Sequence, residues 1–107
     1  MNAKEITIDF DGLDENGLNQ LLKDVLGFPN FYGMNWDAMI DCLGYMRFPD
    51  CEMSKVFLDI DEVLIINCKN LFKADLDTNI FLDVIETVNQ REIDDGRKPQ
   101  ILLNLFR

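Results

Sequence analysis

Asp37 and Asp41 stand four residues apart in the stretch Pro29-Asn30-Phe31-Tyr32-Gly33-Met34-Asn35-Trp36-Asp37-Ala38-Met39-Ile40-Asp41-Cys42-Leu43. On a helix that spacing sets one carboxylate a turn above the other on a single face. Like charges so placed destabilise a helix by roughly 0.2–0.5 kcal/mol. Asp37, in the first turn, recovers some of this from the helix dipole, whereas Asp41 lies further along. No Lys or Arg occurs between Lys23 and Arg47, so no cation nearby in sequence relieves the pair. The chemistry on offer is electrostatic: an uncompensated acidic face beside an aromatic loop is a site for a cationic partner.

Other chemistries lack their parts. The chain has no His, which removes the commonest general base and the commonest metal ligand. Cys42, Cys51 and Cys68 form no C-x-x-C and cannot all pair, so they read as small apolar residues in a reducing compartment. Asp59-Ile60-Asp61 follows an apolar run and could hold Mg²⁺, but no glycine-rich phosphate loop accompanies it. A strand end and a helix cap account for both aspartates. Asp9-x-Asp11-Gly12 begins like a calcium loop, yet its bidentate Glu position falls inside a core helix. Arg97-Lys98 is too short a basic run for nucleic acid, and the acidic surroundings argue against Phe31 and Trp36 as a platform for bases. No enzyme, metal or cofactor is expected.

The whole composition points the same way. Twenty acids against ten bases give a net charge of −10. That field repels nucleic acid and anionic membranes and speeds encounter with basic proteins. Acidity also serves solubility, so the charge alone decides nothing. With 107 residues and 48% hydrophobic content, one packed domain spanning 1–107 is expected. No apolar run approaches the roughly 18 residues that span a bilayer. The N-terminus lacks the plan of a signal peptide, and the expected location is the cytoplasm.

Elements must position the acidic pair. Glu5 to Phe10 alternates, with Ile6, Ile8 and Phe10 on one face of a first strand. Asp14 or Asn16 caps a helix to about Leu26, and Gly27 ends it. Pro29 and Gly33 bracket the aromatic loop, the glycine permitting positive backbone angles. Asn35 caps the central helix, which runs to about Tyr45 and buries Trp36, Met39, Ile40 and Leu43. A second strand is expected at Lys55–Ile60, and a helix capped by Asp61 through Val63–Ile66. A last helix starts at Asp75 or Asp77 and frays into Glu92–Gly96, before a strand from Gln100 to Phe106. The resulting α/β order predicts a three-stranded parallel sheet packed by about four helices.

The run P-x-[aromatic]-Y-G-x-N-x-D-A-x-x-D-x-L resembles the core motif of the barstar family of intracellular ribonuclease inhibitors. Pro29, Tyr32, Gly33, Asn35, Asp37, Ala38, Asp41 and Leu43 carry the likeness. The same sheet-and-helix fold is what this resemblance implies. So is an inhibitor or immunity protein that blocks a basic, secreted bacterial ribonuclease and is monomeric when free. Asp41 then matches the aspartate that enters the enzyme's phosphate pocket, and Asp37 a second acidic contact. Phe31 matches a stacking aromatic, Gly33 and Asn35 shape the loop, and Ile40 and Gly44 fall on the binding surface.

A further acidic contact is implied at or beside Thr87, next to Glu86. The match weakens at three of these positions. The family's best-studied member has tyrosine at Phe31, tryptophan at Ile40 and threonine at Gly44, with another tryptophan near Met46. The departures imply altered partner choice. The alternative is an acidic, non-catalytic module of the same fold that binds another basic protein. An amphipathic helix with a merely solvated acidic face is the blandest account, and it leaves the aromatic loop unexplained.

Overall fold

The computed structural model describes residues 2–106. In chain order they form strand β1 (Ala3–Asp9), helix α1 (Glu15–Leu26), helix α2 (Trp36–Gly44), strand β2 (Val63–Lys69), helix α3 (Thr78–Asp94) and strand β3 (Ile101–Phe106). Single 3-10 turns lie at Pro49–Cys51 and Leu71–Lys73. The sheet is parallel throughout, with β2 between β1 and β3, and Ile6, Ile66 and Leu103 share one row. The α/β class and three-stranded parallel sheet are as expected. Three α-helices pack it, however, not about four.

The difference arises between residues 55 and 69. Val63-Leu64-Ile65-Ile66, expected as helix, is the start of the central strand. Branching at Cβ restricts these side chains against a helical turn and suits a pleated surface. A central parallel strand also reads as a continuous apolar run, and Val63, Leu64 and Ile66 are all buried. Lys55–Ile60, expected as strand, is instead a strap whose backbone bonds go to the end of α1 and to the segment just past α2. Lys55 N donates to Leu26 O at 2.9 Å, and Leu58 N donates to Met46 O at 2.9 Å. Asp61 caps nothing: the chain turns at Asp59–Glu62, with Glu62 N donating to Asp59 O at 3.0 Å.

All three helices press on one sheet face. Ile8, Leu64, Ile66, Cys68 and Ile101 meet Leu18, Leu22 and Leu26 of α1, Met39 and Leu43 of α2, and Phe81, Val84 and Val88 of α3. The Phe10 and Phe81 rings lie 5.4 Å apart. On the open face, Asn67 Nδ2 donates to Thr7 Oγ1 at 3.5 Å, and Asn67 Oδ1 accepts from Asn104 Nδ2 at 3.0 Å. Cys42 and Cys68 are buried, and burial pushes both thiols up to about 11. They stay protonated at neutral pH, which suits inert apolar fillers.

A buried charge cluster closes the end of the fold where α2 finishes. The Arg47 and Glu92 side chains are 2% and 3% exposed, with Nη1 3.6 Å from Oε1. Arg47 also donates to Lys98 O (2.6 Å), Glu62 O (2.8 Å) and Pro99 O (3.2 Å), tying α2 to the approaches of β2 and β3. Arg97 pairs with the other Glu92 oxygen and stacks 5.0 Å from the Phe48 ring. Burial pulls the Arg47 guanidinium below its ordinary value, and Glu92 opposes that shift. Glu92→Ala strands this guanidinium in the interior and should cost about 3–5 kcal/mol of stability. Urea unfolding measures it, and a loss under about 1 kcal/mol would mean that the clamp is dispensable.

Candidate functional site

The loop that precedes α2 is held from below. Gly27 ends α1 in the left-handed conformation (φ 70°), its N–H donating to Lys23 O at 2.9 Å. Any Cβ there would lie 2.6 Å from the Lys55 side chain, so glycine is required twice over. Tyr32 N then donates to Pro29 O at 2.9 Å, a tight turn that directs Tyr32 inward and Phe31 outward. The Tyr32 ring packs 4.9 Å from Phe28, and its hydroxyl hydrogen-bonds the buried Asn19 Oδ1. Burial pushes the Tyr32 hydroxyl well above its ordinary value, so it remains a donor. Phe31 is left 76% exposed.

Gly33 serves a different purpose from the one its type suggests. The positive angle falls on Met34 (φ 55°), while Gly33 gives room: a Cβ would sit 3.2 Å from Asn35 Nδ2. That amide donates to Gly33 O at 3.3 Å, and Asn35 Oδ1 accepts from Ala38 N at 2.8 Å. Asn35 is the N-cap of α2, as expected.

The helix is rotated relative to the expected burial. Its inner stripe is Met39, Cys42 and Leu43, extended past its end by Met46; Trp36 and Ile40 are only half-buried. Cysteine at 42 acts as an apolar filler, and the buried stripe is turned about 60° around the helix from the expected one. Asp37, Ile40, Asp41 and Gly44 carry the same i, i+3, i+4, i+7 spacing two residues earlier, about 200° around the helix. Asp37 and Asp41 are therefore exposed. Gly44 has open space where a Cβ would stand, while its carbonyl accepts from Gln100 Nε2 at 3.2 Å.

Helix α3 packs beside α2 and widens this surface. Asp83, Glu86, the half-buried Thr87, Gln90, Arg91 and Asp94 line an open groove along α3. Arg91 Nη1 stands 3.5 Å from Asp41 Oδ1, the cation missing from the local sequence. All seven candidate residues thus fall on one loop and one helix face, and Asn19 and Arg91 are additions. Asn19 was legible as a polar residue inside an apolar stripe. Arg91 lies 50 positions from Asp41 and leaves no local signal. An apolar cavity lined by Leu71, Phe72, Leu105 and Phe106 among others includes none of the candidate residues.

Among the described residues no group of three or more His, Cys, Asp or Glu side chains is disposed to hold a metal. No helix among them is long and apolar enough to cross a membrane. Asp59 and Asp61 sit in the turn that enters β2, away from the carboxyl ends of the strands where α/β sheets bind ligands. What the acidic loop–helix surface offers is charge, an exposed ring and a fixed backbone. Tyr32→Phe removes the hydroxyl beneath the loop and leaves Asn19 Oδ1 buried without its donor. The expected loss of stability is about 1–3 kcal/mol in urea unfolding; an unchanged midpoint would show that the loop is held otherwise.

No curated protein matches the chain. A family model described as Barstar (barnase inhibitor) matches residues 3–104, from the first strand to the last. The match embraces the aromatic loop, the acidic helix and all three strands of the sheet. The chain belongs to the barstar family.

Proposed function

We propose that this protein inhibits a basic bacterial ribonuclease by seating the α2 face and the Phe31 loop in its active site. Membership of a family of barnase inhibitors supports the ribonuclease-inhibitor role in general. The observation that carries the specific reading is the outward stripe of α2, with Asp37 and Asp41 exposed beside a 76% exposed Phe31. A ribonuclease pocket holds phosphate with cations. Carboxylates placed on a rigid helix imitate that charge and occupy the pocket without being cleaved. Complementary potentials give fast, salt-sensitive capture, and a few desolvated pairs give slow release.

In this reading Asp41 enters the phosphate pocket and Asp37 makes a second acidic contact. Phe31 stacks on the enzyme, Gly33 and Asn35 hold the loop, and Ile40 and Gly44 complete the contact surface. Residues 1–107 act as one domain, in the cytoplasm of the cell whose enzyme is held in check, with no catalysis and no cofactor. The target need not be barnase, because Ile40, Gly44 and Phe31 supply less contact area or hydrogen bonding than the tryptophan, threonine and tyrosine of the family's best-studied member.

The experiment is inhibition of purified barnase, and of any ribonuclease encoded beside this gene, by wild-type protein and by Asp41→Ala. The substitution should cost at least about 2 kcal/mol of binding, the usual threshold for a hot spot, without lowering the melting temperature. A loss under about 0.5 kcal/mol rejects the role given to Asp41. Asp37→Ala should slow association and flatten its dependence on salt, and rates that do not respond to salt count against steering. If wild type inhibits neither enzyme, the acidic-module reading replaces this one.

A further inference from the structure

Asp41 is not free in the isolated chain. Arg91 Nη1 approaches its Oδ1 at 3.5 Å, with the two side chains 59% and 57% exposed. Arg91 is the one Lys or Arg on either helix of the face; α2 carries Asp37 and Asp41, and α3 carries Asp83, Glu86, Glu92 and Asp94. The guanidinium thus stands where a partner's cation would come. Its hold is weak. A single long contact between exposed groups, with no bidentate fork, contributes about 0–1 kcal/mol and yields readily to a competitor.

We propose that Arg91 is a specificity determinant of this face, an internal counter-ion that a cationic partner must displace from Asp41. The proposal deepens the inhibitor reading and rests on it. A partner that offers only cations meets two penalties. It breaks the internal contact, and it leaves the displaced guanidinium beside its own positive charges. A partner with a carboxylate next to its cationic pocket meets neither, because that carboxylate takes Arg91 while the pocket takes Asp41. The face therefore selects a mixed-charge site over a purely basic one, by repulsion as much as by attraction. The charge exchange costs little in structure, since both side chains already stand in solvent.

Hexa-arginine amide, whose C-terminal carboxyl is blocked, presents cations only and needs no particular enzyme, so it is the discriminating probe. Calorimetric titration at low salt compares wild type, Arg91→Ala, Arg91→Lys and Asp41→Ala, together with the double variant Asp41→Ala/Arg91→Ala. Arg91→Ala should bind the peptide about two- to fivefold more tightly than wild type, the range that an exposed pair allows. Arg91→Lys should return to the wild-type value. In the Asp41→Ala background the gain from removing Arg91 should shrink towards unity, because no carboxylate is left to unmask. Unchanged or weaker binding by Arg91→Ala overturns the proposal. An equal gain with and without Asp41 overturns it too, because Arg91 would then act as a bulk charge. Inhibition of barnase by wild type is read separately. If it is absent while the peptide ordering holds, the ribonuclease reading fails and the counter-ion role stands.

Discussion

The fold depends on answering two charges that it buries, Arg47 and Glu92, whose side chains are 2% and 3% exposed. Two almost fully buried charges are costly unless each is answered. Arg47 donates to three carbonyls and faces Glu92 Oε1 at 3.6 Å, and Glu92 pairs with Arg97 through its other oxygen; Arg47 Nε and Glu92 Oε1 themselves have no hydrogen-bond partner, so the pair is held by charge as much as by hydrogen bonds. The carbonyls come from Glu62, Lys98 and Pro99, so a side chain just beyond α2 fixes the entries to β2 and β3. Gln100 adds its amide to the Gly44 carbonyl. The C-terminal end of the acidic helix is thereby set against the sheet by polar contacts that its own outward face does not supply.

The other end of α2 is set by a neutral device. Asn19 and Tyr32 place one hydrogen bond beneath the loop, and Asn35 satisfies both the Ala38 amide and the Gly33 carbonyl. A charged anchor there would have altered the field that the loop presents, whereas an amide and a phenol do not. The helix is consequently held at both ends while Asp37 and Asp41 remain in water. Preorganisation of this kind lowers the ordering cost of any association, since the backbone and the buried rings are already fixed.

How much of this was legible follows from the range of each interaction. The cap at Asn35, the glycine after α1 and the alternation of Ile6 and Ile8 are local, and they lie where the sequence placed them. The strap at Lys55–Ile60 and the strand at Val63–Lys69 were exchanged because an isolated apolar run has no strong period. Only its neighbours in space decide whether it lies in the middle of a sheet. The acidic face was readable from spacing, although the rotation of α2 was not, since Trp36, Met39, Ile40 and Leu43 repeat with the same i, i+3, i+4, i+7 spacing as the stripe of Met39, Cys42, Leu43 and Met46 that is in fact buried. Neither Glu92, at the fraying end of the last helix, nor Arg47 carries a local sign of burial in the sequence. Nothing short of the tertiary fold brings them together across 45 positions.

The placement of charge also bears on how selective such a face is. On the proposed reading, contact area is modest: Phe31 lacks a hydroxyl, Ile40 is half-buried and Gly44 offers only backbone. When area is small, discrimination must come from the placement of charge, and a uniform acidic surface discriminates poorly because any basic protein satisfies it. One exposed arginine among the exposed acids changes that. It lowers attraction for partners that are merely basic and leaves it intact for those whose charges alternate. Arg91 is thus best understood as part of the recognition pattern rather than as a stabilising ion pair, a role for which its single 3.5 Å contact would be poorly suited.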